Sequence, residues 1–261
     1  FTGDVPYLLM GADAVSFVVD AVDGVRPLTK RLWDEVKKSG LPALVFINKM
    51  DRDRADFDMA FQGLSTMLGI KPVLLFMPIG SSDAFTGLVD VMADKALFFE
   101  ADGEVKEGDV PADIAEEVQI LRETTIENIA ESDEDLMERY LEEGELSPED
   151  VREGLRKGVL SGELVPVCSG AALANKGGAQ LLSVIQDLFP SPLEHGPWLD
   201  QEASERASSP DEPATCLVFK TLVDPFAGQL SILRVISGTL NADSTLHNMR
   251  SDDTERIGQL L

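Results

Sequence analysis

The sequence predicts an α/β protein: a doubly wound sheet of parallel strands, broken by an acidic α+β insert and followed by the start of an all-β barrel domain. Three observations carry this. Apolar runs alternate with amphipathic segments through the first half, the pattern of strand and crossover helix. Residues 100–150 hold 20 acidic against 3 basic residues, a balance of −17 in a chain of 261 residues whose formal charge is −25. Beyond residue 213 apolar and polar residues alternate, as in antiparallel strands.

The elements follow in order. AVSFVVD (14–20) and ALVFINK (43–49) are near-continuous β-branched and aromatic runs, as expected of strands covered on both faces. Between them, GVRPLTKRLWDEVKKSG opens a helix at Pro27, places Leu28, Leu32 or Trp33, and Val36 on one stripe, and ends at Gly40. ADFDMAFQGLSTMLG gives a second helix with Phe57, Phe61, Leu64 and Leu68 at helical spacing, and KPVLLFMPIG a third strand. FTGLVDVMADKALFFEADGEV has two short apolar runs with Gly and Asp turn signals, which reads as antiparallel strands. In the acidic region, Ile114, Val118 and Leu121, or Ile126 and Ile129, then Leu136, Met137, Tyr140 and Leu141, keep an apolar stripe within the charge. A solvated charged face is the plain reading of that region, ahead of a metal site.

SPEDVREGLRKGVL is a helix capped by Ser147 with Asp150 three residues on, ELVPVCSG a strand, and GGAQLLSVIQDLF a helix ended by Pro190. Residues 191–213 are rich in Pro, Ser and Glu and read as a linker. ATCLVFKTLVDPF and GQLSILRVISGTLNADSTL then alternate like barrel strands, with Gly238 and Asn241 as turn residues.

Composition removes several functions. So acidic a chain repels the phosphates of duplex DNA, so no DNA partner is expected and any RNA contact must be local. Two cysteines, Cys168 and Cys216, with two histidines make neither a disulfide framework nor a zinc site, and both thiols read as small buried hydrophobes. No run approaches the roughly 18 apolar residues of a membrane span, and the first residues lack a basic leader. A soluble, cytoplasmic chain is expected. It begins at Phe1 and stops in mid-pattern at RIGQLL, so a piece of a longer protein is expected too.

The sharpest chemical feature is Asn48-Lys49-Met50-Asp51, at the carboxyl end of a predicted strand, where open α/β sheets bind ligands. The Asp51 carboxylate can accept two hydrogen bonds, from the N1–H and exocyclic N2–H2 of guanine, which adenine does not offer. Lys49 would lay its methylene stem along the base, Asn48 would brace the neighbouring loop, and Met50 would contribute backbone and packing. Alone, the four-letter pattern arises by chance and describes any polar loop after a strand. The strand before it and the helix after it favour the base-reading role. A second wall would come from Gly170, Ala171 and Ala172, small residues after the strand at 164–169 whose main-chain donors could approach the base O6. An ordinary small-residue turn is the alternative there. His195 and His247 read as surface residues, Trp33 and Trp198 as packing residues; no catalytic residue and no metal ligand is assigned.

This succession resembles the translational GTPase family, specifically its elongation factor G branch. The segment to Met10 resembles the start of the helix past the family's switch II, and GADAVSFVVDAVDGVRPLTKRLWDEV its next strand and helix. LPALVFINKMDRDRADF carries the base-specificity motif with its flanks, and ADKALFF with the acidic helices resembles the branch's insert. PVCSGAALANKGGAQLLSVIQDLFPSP is similar to the end of the GTPase domain, and DPFAGQLSILRVISGTL to the opening of the barrel. The resemblance implies a P-loop-GTPase-type sheet whose N-terminal part lies upstream, with GTPase residues 1–190, an insert at about 73–163, a linker at 191–213 and a partial barrel at 214–261. It implies GTP or GDP as ligand, with Mg2+ held by residues outside this chain. It implies the ribosome as partner, through rRNA and ribosomal proteins including the stalk protein at the acidic insert, in the translocation step of elongation.

The departures are specific. Gly170-Ala171-Ala172 stands where the family has Gly-Ser-Ala, and Arg54 where it has Gly. No G-x-x-x-x-G-K-[ST] occurs, so the phosphate loop and the switch residues that position the attacking water are missing from these residues. This stretch of chain by itself is therefore expected not to hydrolyse GTP and scarcely to bind it. The alternatives are a non-catalytic acidic interaction module with a vestigial guanine site, or a ribosome-protection or recycling GTPase of the same architecture.

Overall fold

The computed structural model describes residues 2–100, 104–194, 198–199, 205–226 and 228–261, so His195 lies outside the described residues. Two compact units emerge, one over Ala14–Phe189 and one combining residues up to Asp13 with Pro190 onward.

The first unit is built on one sheet, of order β1-β2-β7-β3-β4-β5-β6 among the described residues. Strands β1 (Val15–Asp20), β2 (Ala43–Asn48), β7 (Leu164–Ser169) and β3 (Lys71–Ile79) run parallel. Strands β4 (Gly87–Asp90), β5 (Lys95–Phe99) and β6 (Val105–Gly108) extend it antiparallel from the far edge of β3. Every residue of β7 and the first five of β2 are buried, which explains their unbroken apolar spelling.

Helix α2 spans Pro27–Ser39 and ends at Gly40, whose left-handed φ of 69° lets its N–H reach the Lys37 carbonyl. Trp33 and Val36 face inward, Trp33 meeting the Phe17 ring edge-on at 5.6 Å, while Leu28, expected on the stripe, is 54% exposed. The helix expected over 55–69 is in two parts: α3 (Phe57–Gly63), capped by Asp56, widens into a π-turn over Leu64–Leu68. Helices α4 (Ala115–Glu131), α5 (Glu134–Glu143) and α6 (Pro148–Leu160) make the acidic layer, packed through Val118, Ile129, Leu136, Val151, Leu155 and Val159. Leu141 departs from the expected stripe at 76% exposure, because it sits in the last turn of α5 beyond the packed face. Ser147 caps α6 as its sequence signals: its hydroxyl accepts the Asp150 N–H at 3.1 Å and donates to the Asp150 carboxylate at 2.7 Å. Helix α7 (Gly178–Leu188) closes the unit.

In the second unit, α1 (Val5–Met10) lies on β10 (Thr215–Asp224), with Asp4 paired to Lys220 at 2.8 Å and Asp13 to Arg234. Strand β10 pairs antiparallel with β11 (Gly228–Ser237), and β12 (Thr245–Asn248) with β13 (Asp253–Arg256). Strand β8 (Trp198–Leu199) pairs antiparallel with β9 (Glu205–Arg206), and the Arg234 guanidinium lies 4.9 Å from the Trp198 ring. His247 is half-exposed beside Asp252 at 3.1 Å. No helix among the described residues is long and apolar enough to cross a membrane.

Candidate functional site

The parallel strands deliver their carboxyl ends to one edge, where three chain segments meet. Asp20 ends β1 directly opposite Asn48, which ends β2, and the Ala21 N–H donates to the Asn48 carbonyl at 2.9 Å. Strand β7 lies on the other side of β2, with Ser169 in register with Ile47. All seven residues singled out from the sequence therefore come together: Asn48, Lys49, Met50 and Asp51 on one loop, Gly170, Ala171 and Ala172 on the other.

Asn48 is the join. Its side-chain oxygen accepts the Ala172 N–H at 2.9 Å and the Lys49 N–H at 2.8 Å, so one carboxamide fixes both loops. Met50 adds a second tie, its N–H donating to the Gly170 carbonyl at 3.0 Å while its side chain is fully buried. The other two N–H groups of the small-residue loop serve the fold, Gly170 donating to Ile47 at 2.9 Å and Ala171 to Lys176 at 2.9 Å, so the three main-chain donors expected to approach a base O6 are all engaged within the protein. Gly170 is demanded by space, since a Cβ there would stand 2.5 Å from the Lys176 carbonyl and 2.7 Å from the Phe46 ring. The hydroxyl missing at Ala171 thus leaves the backbone of the loop in place.

Lys49 adopts φ 69°, a left-handed conformation unusual for a side chain with a Cβ and frequent at functional sites. Its ammonium pairs with the Asp20 carboxylate. Burial pushes the Asp20 carboxyl up, but Lys49 and the N–H groups of Val22 and Asp23 together hold it below its ordinary value. Asp51 is half-buried, and its carboxylate accepts no hydrogen bond from the described residues, so it stands as an open pair of acceptors at this edge. Among the described residues no group of three His, Cys, Asp or Glu is arranged to hold a metal ion.

Sequence reasoning missed three participants. Asp20 had one available signal, its place at the carboxyl end of a neighbouring parallel strand. Ser82 and Lys176, which brace the two loops, have no local signature. Cys168 is buried within β7, whereas Cys216 is half-buried in β10.

Parallel strands with two such loops at their carboxyl ends define an α/β domain of the GTP-binding class. The chain belongs to the family of the elongation factor Tu GTP binding domain, whose sequence profile matches residues 1–191. Over its whole length it is similar to elongation factor G: 40% identical across 268 residues to that of Thermotoga maritima and 38% across 267 residues to that of Ureaplasma parvum. Both alignments take in 100% of this chain and 39% of the relative, so the chain spans about two fifths of the relatives' length. A crystal structure of a Thermus thermophilus protein matches with a TM-score of 0.81 at 32% identity, covering 98% of this chain and 36% of that one.

Proposed function

We propose that these residues form the base-reading part of a ribosome-dependent translational GTPase of the elongation factor G type. The observation that supports this is the hydrogen bond from the Ala172 N–H to the Asn48 side chain, which ties the two loops together. Asp51 would take the N1–H and N2–H2 of guanine, Lys49 would cover a base face, Asn48 would brace the neighbouring loop, and Gly170, Ala171 and Ala172 would wall the base. GTP and GDP are the ligands of this reading; Mg2+ accompanies the phosphates, with ligands outside these residues. The division into GTPase residues 1–190, an insert at 73–163, a linker at 191–213 and a barrel from 214 belongs to the same proposal. So do a cytoplasmic location, action in translocation, and contact with the ribosome through rRNA, ribosomal proteins and, at the acidic insert, the stalk protein. Similarity to elongation factor G along the whole chain supports it.

Calorimetric titration of the full chain with GDP and with ADP tests the reading. Weak but selective binding of GDP over ADP, abolished by Asp51→Ala, is expected. Equal affinity for the two nucleotides overturns the base-site assignment.

A further inference from the structure

Both walls of the proposed guanine site are fastened to a single turn that belongs to neither. The turn is Ser82–Phe85, which leaves β3 and enters β4. The Ser82 N–H donates to the Met50 carbonyl at 2.7 Å and its hydroxyl to the Arg52 carbonyl at 2.8 Å, gripping the Asn48–Asp51 loop from behind. At the other end of the turn, the Phe85 carbonyl accepts the Lys176 ammonium at 3.1 Å. Lys176 is itself part of the second wall: its carbonyl takes the Ala171 N–H at 2.9 Å and its N–H returns to the Ala171 carbonyl at 3.1 Å. The same ammonium lies 5.5 Å from the Phe85 ring and 5.7 Å from the Phe99 ring, which joins it to β5.

The turn is tightly specified. Gly80 enters it at φ 75°, and a Cβ there would stand 2.2 Å from the Ala84 carbonyl. Ser82 is held at φ 56°, a conformation that disfavours a residue with a Cβ and persists only where its surroundings impose it. Phe85 is 2% exposed, so the turn is anchored in the core and does not float on the surface.

We propose that Ser82 and Lys176 are positioning residues for the guanine site, a clamp that sets the spacing of its two walls and ties that spacing to the seating of β4 and β5. The inference rests on the guanine reading above and extends it: nucleotide affinity depends on contacts at the root of the insert, away from the base. Ser82 acts through the Met50 and Arg52 carbonyls, and Lys176 through Ala171 and Phe85. A shift of β4 and β5 moves both walls at once.

The test uses the full chain with Ser82→Ala, Lys176→Met and the conservative Lys176→Arg. The readouts are dissociation of a fluorescent GDP, the affinity ratio of GDP to IDP, which lacks the N2 amino group, and amide exchange over 48–52 and 170–176. Loss of one such bond is expected to speed GDP release about three- to tenfold in Ser82→Ala and Lys176→Met. The GDP to IDP ratio should fall as Asp51 loses its register, amide exchange should rise in both loops from either substitution, and Lys176→Arg should restore most of each effect. General loosening of the fold would weaken GDP and IDP alike and leave that ratio unmoved. Release, ratio and exchange unchanged in both variants, with GDP still bound by the parent, overturn the clamp alone. Equal affinity of the parent for GDP and ADP overturns the guanine reading, and the clamp with it. Should Lys176→Met fail to fold, Ser82→Ala and Lys176→Arg carry the same comparison.

Discussion

The side-chain oxygen of Asn48 and the backbone N–H of Ala172 meet at 2.9 Å across 124 residues of sequence. That oxygen also holds the N–H of Lys49. Two loops at the ends of neighbouring strands are thereby tied together by one short, stiff amide.

Asn48→Ala removes this join while leaving the buried strands untouched. Its effect should fall on binding: GDP affinity drops about tenfold, the size of one lost hydrogen bond within a polar site, with the melting temperature nearly unchanged. Calorimetry and thermal unfolding on the same preparation separate the two quantities.

Asp51→Asn replaces two acceptors with one acceptor and one donor. The paired contact to N1–H and N2–H2 is lost, so the preference for GTP over ATP should shrink by about one to two orders of magnitude. Xanthine, which presents a carbonyl where guanine has its amino group, should gain. Competition between nucleotides measures both, and an unchanged guanine preference refutes the role of Asp51.

Arg54 lies at φ 65°, where left-handed backbone penalises any Cβ. Arg54→Gly should therefore stabilise the protein by about 1 kcal/mol, the scale of that steric penalty, partly offset by the freer unfolded chain. Denaturant unfolding checks the sign directly.

Cys168 offers a pH test. Burial, with a smaller contribution from the Asp90 charge, pushes its thiol up from 9.0 to about 12. Between those values the folded protein keeps a proton that the unfolded chain gives up, so stability falls as pH rises across the window, by at most about 1.4 kcal/mol per pH unit. At pH 8 an aromatic disulfide reagent should leave Cys168 unmodified in the native state, where the half-buried Cys216 reacts slowly, and label both in denaturant. Native labelling of Cys168 by mass spectrometry counts against its burial.

Local elements were legible because their signals are local. Pro27 and Gly40 bracket α2, and Ser147 with Asp150 announces α6, through chemistry confined to a turn or two. The place of Asn48–Asp51 at the carboxyl end of β2 was legible for the same reason. Strand order was not, since the pairing of β7 between β2 and β3 is decided by residues about a hundred positions apart. Leu28 and Leu141 show the limit of periodicity: helical spacing reports which residues share a face, and tertiary packing decides how far along the helix that face is covered. Lys176 and Ser82 escaped because each acts on a carbonyl 91 or 30 residues away, a relationship no short pattern encodes.

The position of β7 has a temporal consequence. Without it the sheet is two separate pieces, β1-β2 and β3-β4-β5-β6, each with a bare inner edge. A chain made from its amino end delivers β3 by residue 79 and β7 only from residue 164, an interval on the order of ten seconds at roughly 5–20 residues per second. During that wait two apolar half-sheets stand open to pairing with other nascent chains. What emerges meanwhile is the most negatively charged stretch of this chain, and like charge of that density would repel the same stretch on a neighbouring chain until the last parallel strand arrives.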